Sequence, residues 1–168
     1  MKLHGDMEIN GRAFKKGDEI SWLRVYPFFM VHIGMFGLSG FYMAYVTDGP
    51  SLGFLFVHGG LAILTYTIFY LIIFGQEEVK WMFINAALGL LGIYAEIDWI
   101  LAFFGTSVDD YPWQRHIIPF LYYVLYTFLL RQAFIDLTRS REDPDRRRRV
   151  NQFYVGLSVL IYGAIYLF

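Results

Sequence analysis

Apolar residues fall into five blocks along this chain, separated by short polar stretches. The blocks run from about Ser21 to Val46, Leu52 to Phe74, Trp81 to Phe104, Trp113 to Leu137 and Val150 to Phe168. Each is roughly 20 residues or more with few charges, the length at which a helix crosses about 30 Å of hydrocarbon. The separators carry turn chemistry: Asp48-Gly49-Pro50, Gly75-Gln76, Gly105-Thr106-Ser107 with Asp109-Asp110, and Asp143-Pro144-Asp145. The pattern predicts an all-α, polytopic integral membrane bundle of five transmembrane helices, residues 21–168. Short connections predict antiparallel packing of sequential helices. No internal repeat is evident, which argues against a two-halves transporter design.

A polar amino-terminal arm, residues 1–20, precedes the first block. Nothing in residues 1–6 demands a structural role. The first block lacks a following small-x-small cleavage pattern, so it reads as a retained signal-anchor.

Composition sharpens this picture. With 168 residues, 57% hydrophobic and 20% aromatic, the chain has no room for a separate soluble domain. Trp22, Tyr26, Trp81, Trp113 and Tyr166 fall at predicted membrane interfaces, and Phe168 should place its carboxylate at the outer one. Pro27 and Pro119 lie within the first two turns of their helices, where a missing N–H costs least. The absence of cysteine excludes disulfides, thiolate metal sites and thiol catalysis.

Net charge is −1, but the charges are segregated. Lys2, Arg12, Lys15, Lys16, Arg24, Lys80, Arg139, Arg141 and Arg146 to Arg149 share one side if the amino terminus is cytoplasmic and the carboxy terminus outside. The first loop has no basic residue, and the third has only Arg115 beside Asp109 and Asp110. This predicts a protein of the cell membrane, plasma or bacterial inner. The run Arg146 to Arg149 reads first as a solvated topology determinant, diluted by Glu142, Asp143 and Asp145. Contact with anionic lipid head groups, about 1 kcal/mol per basic residue, is the second reading. No folded basic surface accompanies the run, so no nucleic-acid partner is expected.

The third block carries most of the candidate chemistry. Asn85, Gly89, Gly92 and Glu96 recur on one helical stripe, a packing seam with a polar group at each end. Asp98 lies about 200° around the helix from Glu96, so the two carboxylates cannot share one point site. In the proposed orientation His58, Glu96, Asp98, Arg115 and His116 fall in one outer layer. With Asn85 they form a predicted outward-facing pocket, a ligand site or proton pathway. Two His and two carboxylates can hold a divalent metal, through His58, His116 and Glu96, or relay protons. The spacing matches no zinc-type motif. The structural alternative is that Glu96 pairs with Arg115, His116 or His58 to hold the bundle together.

His32 and His58 lie within about one turn of the same depth, the arrangement of axial ligands to a b-type haem, with Gly59 and Gly60 leaving room. Arg131, near the inner end of its helix with Gln132 and Asp136 close by, reads as a snorkelling side chain. Three functional readings follow. The first is binding or translocation of an ion, proton or amphipathic small molecule. The second is an accessory role in a larger membrane complex or homo-oligomer. The third is a redox or metal-dependent enzyme using the same residues. Cofactor-free, divalent-metal and haem forms all remain open at this stage.

Overall fold

Five long helices account for the five apolar blocks: α1 (Trp22–Tyr45), α2 (Leu52–Phe74), α4 (Trp81–Ala102), α5 (Ile117–Leu137) and α6 (Pro144–Leu167), with a single turn, α3 (Gln76–Val79), between α2 and α4. The computed structural model describes residues 1–9, 11–46 and 48–167, and the expectations for the Tyr166 side chain and Phe168 lie outside what it describes. The all-α membrane-bundle class stands. Four helical stretches, α1, α2, α3 with α4, and the segment Trp113–Leu137, are long and apolar enough to cross a membrane. The fifth helix differs in how it starts. Asp143 accepts the Arg146 N–H at 3.0 Å and Pro144 takes the first helical position, so the arginine run is wound into the helix rather than left in a loop.

Local chemistry explains the other boundaries. Ser51 caps α2 by accepting the Phe54 N–H at 3.3 Å. Gly75 ends α2 at φ 84°, a conformation a side chain resists, and its bare Cα faces the His4 ring. After α5, the Ser140 N–H reaches back to the Ile135 carbonyl at 2.9 Å, with Arg139 between them at φ 53°. That closure normally uses glycine.

The centre of the bundle is α5, not the third apolar block. Half of its apolar window is buried, against 22% to 33% in the other three. It packs against α1, α2, α4 and α6, while α1 also meets α2 and α4 meets α6. Sequential order is therefore only part of the packing: α2 and α4, joined by one turn, are not among the closely packed pairs. Contacts also set direction. Tyr26 at the start of α1 bonds Asp136 at the end of α5, whereas Gly59 of α2 meets Ile118 at the start of α5. So α1 runs antiparallel to α5 and α2 runs parallel to it. The amino-terminal arm, the α2–α4 junction and the α5–α6 loop consequently share one end of the bundle, the basic one.

The small-residue positions divide into filled and empty. Gly40 and Gly59 take the rings and branches of Tyr122 and Ile118, Gly89 takes Tyr123 and Phe120, and Gly92 takes Tyr162. Gly34 has nothing within 4 Å of where a Cβ would sit. Leu38, Val57, Leu90 and Leu160 are among the large apolar residues left on the outside, as lipid contact requires.

The arm is folded, contrary to the expectation for residues 1–6. Strands β1 (Met7–Ile9) and β2 (Arg12–Phe14) form an antiparallel hairpin, with Gly11 at φ 74° in the turn. Leu3, Met7 and Ile20 are buried, the His4 N–H donates to the Ile72 carbonyl at 2.7 Å, and the Met1 ammonium donates to Ile20 O at 3.0 Å. The segment covers the end of α2, where Gly5 lies against Ile72 and His4 against Gly75.

Candidate functional site

At the end away from the arginines, the predicted residues do not form one pocket. Asp98 Oδ1 accepts the Ser107 hydroxyl at 2.8 Å and the Val108 N–H at 3.0 Å, anchoring the loop after α4. His116 Nδ1 and the Tyr45 hydroxyl lie 2.7 Å apart, with their rings stacked. Arg115 donates to the Ala44 carbonyl at 3.0 Å, covering an unpaired acceptor at the end of α1. The expected partnership of Arg115 or His116 with Glu96 is replaced by these contacts. His58 is exposed, its ring stacked on Phe54 and near Phe36. Asp98, Arg115 and His116 have thus each found a nearby hydrogen-bond partner, which is the cheapest way to satisfy a polar group in an apolar bundle.

Among the described residues no group of three or more His, Asp or Glu is placed to hold a metal, so His58, His116 and Glu96 do not converge as that reading required. His32 turns its Nδ1 to the Phe28 carbonyl of its own helix at 2.7 Å and lies over the Phe28 ring. Neither it nor His58 is among the residues that line the two cavities described below.

Glu96 stands apart from that set. It lines a groove of about 600 Å³ walled by α1 and α4 and floored by α5. Met30, Ile33, Leu38 and Phe41 supply one wall, Ile93, Ile97, Ile100 and Phe104 the other, and Pro119 with Tyr122, Tyr123 and Tyr126 the floor. Gly34 and Gly37 open the α1 wall, where any larger residue would narrow it. Glu96 is the one carboxylate in this lining, and among the described residues it has no ion-pair partner. Asn85, at the other end of its stripe, is 1% exposed with both side-chain polar atoms unpaired. Between the two, Gly89 and Gly92 are occupied by tyrosine rings, so the stripe is a packed seam rather than a passage.

The most extensive polar assembly lies at the basic end, and local sequence reading missed it. Arg131 is fully buried and does not snorkel. Its Nη1 donates to Glu78 Oε2 at 3.1 Å, its Nε donates to Asn151 Oδ1 at 3.0 Å, and its guanidinium lies 3.9 Å from the centre of the Trp81 ring. Gln132 donates to the same Glu78 oxygen at 2.7 Å, and Arg147 pairs with the other one. Arg141 forks onto both oxygens of Asp136, at 2.5 and 2.8 Å, and reaches Gln132 Oε1 at 3.0 Å. One signal could have exposed this. A lone cation inside α5 needs a counter-ion at its own depth, and Glu78 lies at the same end of the bundle.

These features define a multi-pass helical membrane protein with a lateral groove and a buried charge network. No family model, curated protein or solved structure matches the chain.

Proposed function

We propose that this protein binds an amphipathic small molecule drawn from the bilayer. The apolar body of the ligand would occupy the groove between α1 and α4, and its hydrogen-bond donor or cationic group would meet Glu96. The observation that carries the reading is the solitary Glu96 in an otherwise apolar and tyrosine-lined groove. A carboxylate at membrane depth costs about 2.5–3.5 kcal/mol on insertion scales, and here no neighbouring cation among the described residues offsets it. Pockets for small ligands combine such an apolar lining with a few placed polar groups.

Binding is favoured over translocation. A pathway for an ion or proton needs linked polar groups across the bundle, yet tyrosine rings fill the seam between Asn85 and Glu96. The arginine-rich end supports a cytoplasmic placement of the amino terminus, which puts the Glu96 half of the groove in the outer leaflet of a cell membrane.

The test is chemical identification of co-purifying amphiphiles by mass spectrometry. Wild type, Gly34→Leu and Glu96→Gln would be isolated in the same mild detergent. Gly34→Leu projects into the groove from a position where a Cβ meets nothing within 4 Å, so it should keep the fold and lose the bound species. Glu96→Gln should retain mainly species without a cationic head. Identical lipid profiles in all three folded proteins would remove the reading.

A further inference from the structure

A second cavity, of about 630 Å³, lies at the basic end between the start of α4 and the first turns of α6. Trp81 and Val155 give it apolar wall, and Arg141, Arg147, Arg148 and Asn151 give it polar wall. We propose that it is a binding site for a phosphate-bearing anion, independent of the Glu96 groove.

The lining supports this. Three arginines, Arg141, Arg147 and Arg148, line the cavity and no carboxylate does, while Asp136 and Glu78 pair with the first two. Glu78 is shared by two guanidinium groups and an amide, so neither arginine has a carboxylate to itself. Arg131 keeps a buried Nη2 with no hydrogen-bond partner, and its guanidinium contacts the Trp81 and Asn151 side chains that line the cavity. Among the described residues Arg148 has no ion-pair partner. Arg141 and Arg147, held by their carboxylates, place positive charge at the cavity wall, and Arg148 adds a guanidinium whose planar N–H fork is the geometry phosphate oxygens match. Trp81 beside them is the residue type that sits at the level of lipid head groups.

The phosphate could belong to an anionic phospholipid or to a soluble phosphate ester, and the experiment separates the two. Thermal stability of the full chain in detergent would be followed with added phosphatidylglycerol, with phosphatidylcholine as the zwitterionic control, and separately with glycerol 3-phosphate. High ionic strength would screen general surface attraction. Stabilisation by phosphatidylglycerol alone assigns a lipid site, and stabilisation by glycerol 3-phosphate assigns a soluble one. Arg148→Gln leaves the buried network intact and should weaken the effective ligand about tenfold, as loss of a charge-assisted hydrogen bond does. Arg149→Gln, the neighbouring arginine outside the cavity lining, should change it less than about twofold under screening. Stabilisation by neither anion, or equal losses in the two variants, would overturn the proposal.

Discussion

Arg131 and Glu78 stand 53 positions apart in the chain and meet at 3.1 Å in the interior, the arginine side chain 0% exposed and the glutamate 8%. The pair ties the junction before α4 to the central helix, and Arg147 ties α6 to the same carboxylate. Desolvating two charges is expensive, so the value of such a pair lies less in net stability than in the penalty for breaking it.

Removing that carboxylate should therefore be severe. Glu78→Gln leaves two arginines facing one neutral amide and should destabilise the protein by about 3–5 kcal/mol. Adding Arg131→Gln should cost less than the sum of the single changes, because the stranded charge is then gone. Unfolding in detergent, followed by circular dichroism, measures both.

Asp98 is placed to hold a loop, and substitutions should report that. Asp98→Asn keeps an acceptor for Ser107 and Val108 and should behave like wild type, whereas Asp98→Ala should expose residues 105–112 to faster proteolysis. Loss of ligand binding in Asp98→Asn with the loop still protected would contradict this assignment.

The glycines separate in the same way. Gly92→Ala drives a methyl into the Tyr162 ring and should cost about 1–3 kcal/mol by overpacking, loosening α6 from α4. Gly34→Ala meets nothing and should stay within about 0.5 kcal/mol of wild type. Thermal midpoints of the two variants, side by side, decide it.

Asp143 offers a pH signature. The Arg146 N–H it accepts, with the nearby guanidinium, holds its carboxyl below the usual carboxylate range. Its stabilising contribution to the start of α6 is thus fully present above the unfolded value, about 3.9, and fades as pH falls through the lower folded value. Asp143→Ala should accelerate amide exchange in residues 144–148 at neutral pH. The difference from wild type should shrink on strong acidification.

How far the sequence reached differs from element to element. The helices α1, α2, α4 and α5 lie close to the predicted blocks, because block length and turn residues are local properties. The divergence of Glu96 and Asp98 was also local, since it follows from the helical repeat, and the structure keeps them in separate surroundings. The start of α6 was misplaced because a run of four arginines reads as a loop until Asp143 is recognised as its cap. Glu78 was invisible for a related reason: it sits in a short polar connection, where acidic residues are ordinarily solvated.

Sequence alone determined the class of molecule, the number of long helices and the segregation of basic charge, each set by residue spacing along the chain. Only the tertiary structure decided which polar groups meet. It made α5 the centre, gave Asp98, Arg115 and His116 to loops and helix ends, left Glu96 in a groove, and buried Arg131 against Glu78. The reason is physical. In an apolar bundle a polar side chain takes the partner that packing brings within reach, and for Arg131, Arg115 and His116 that choice is made between elements rather than along one helix.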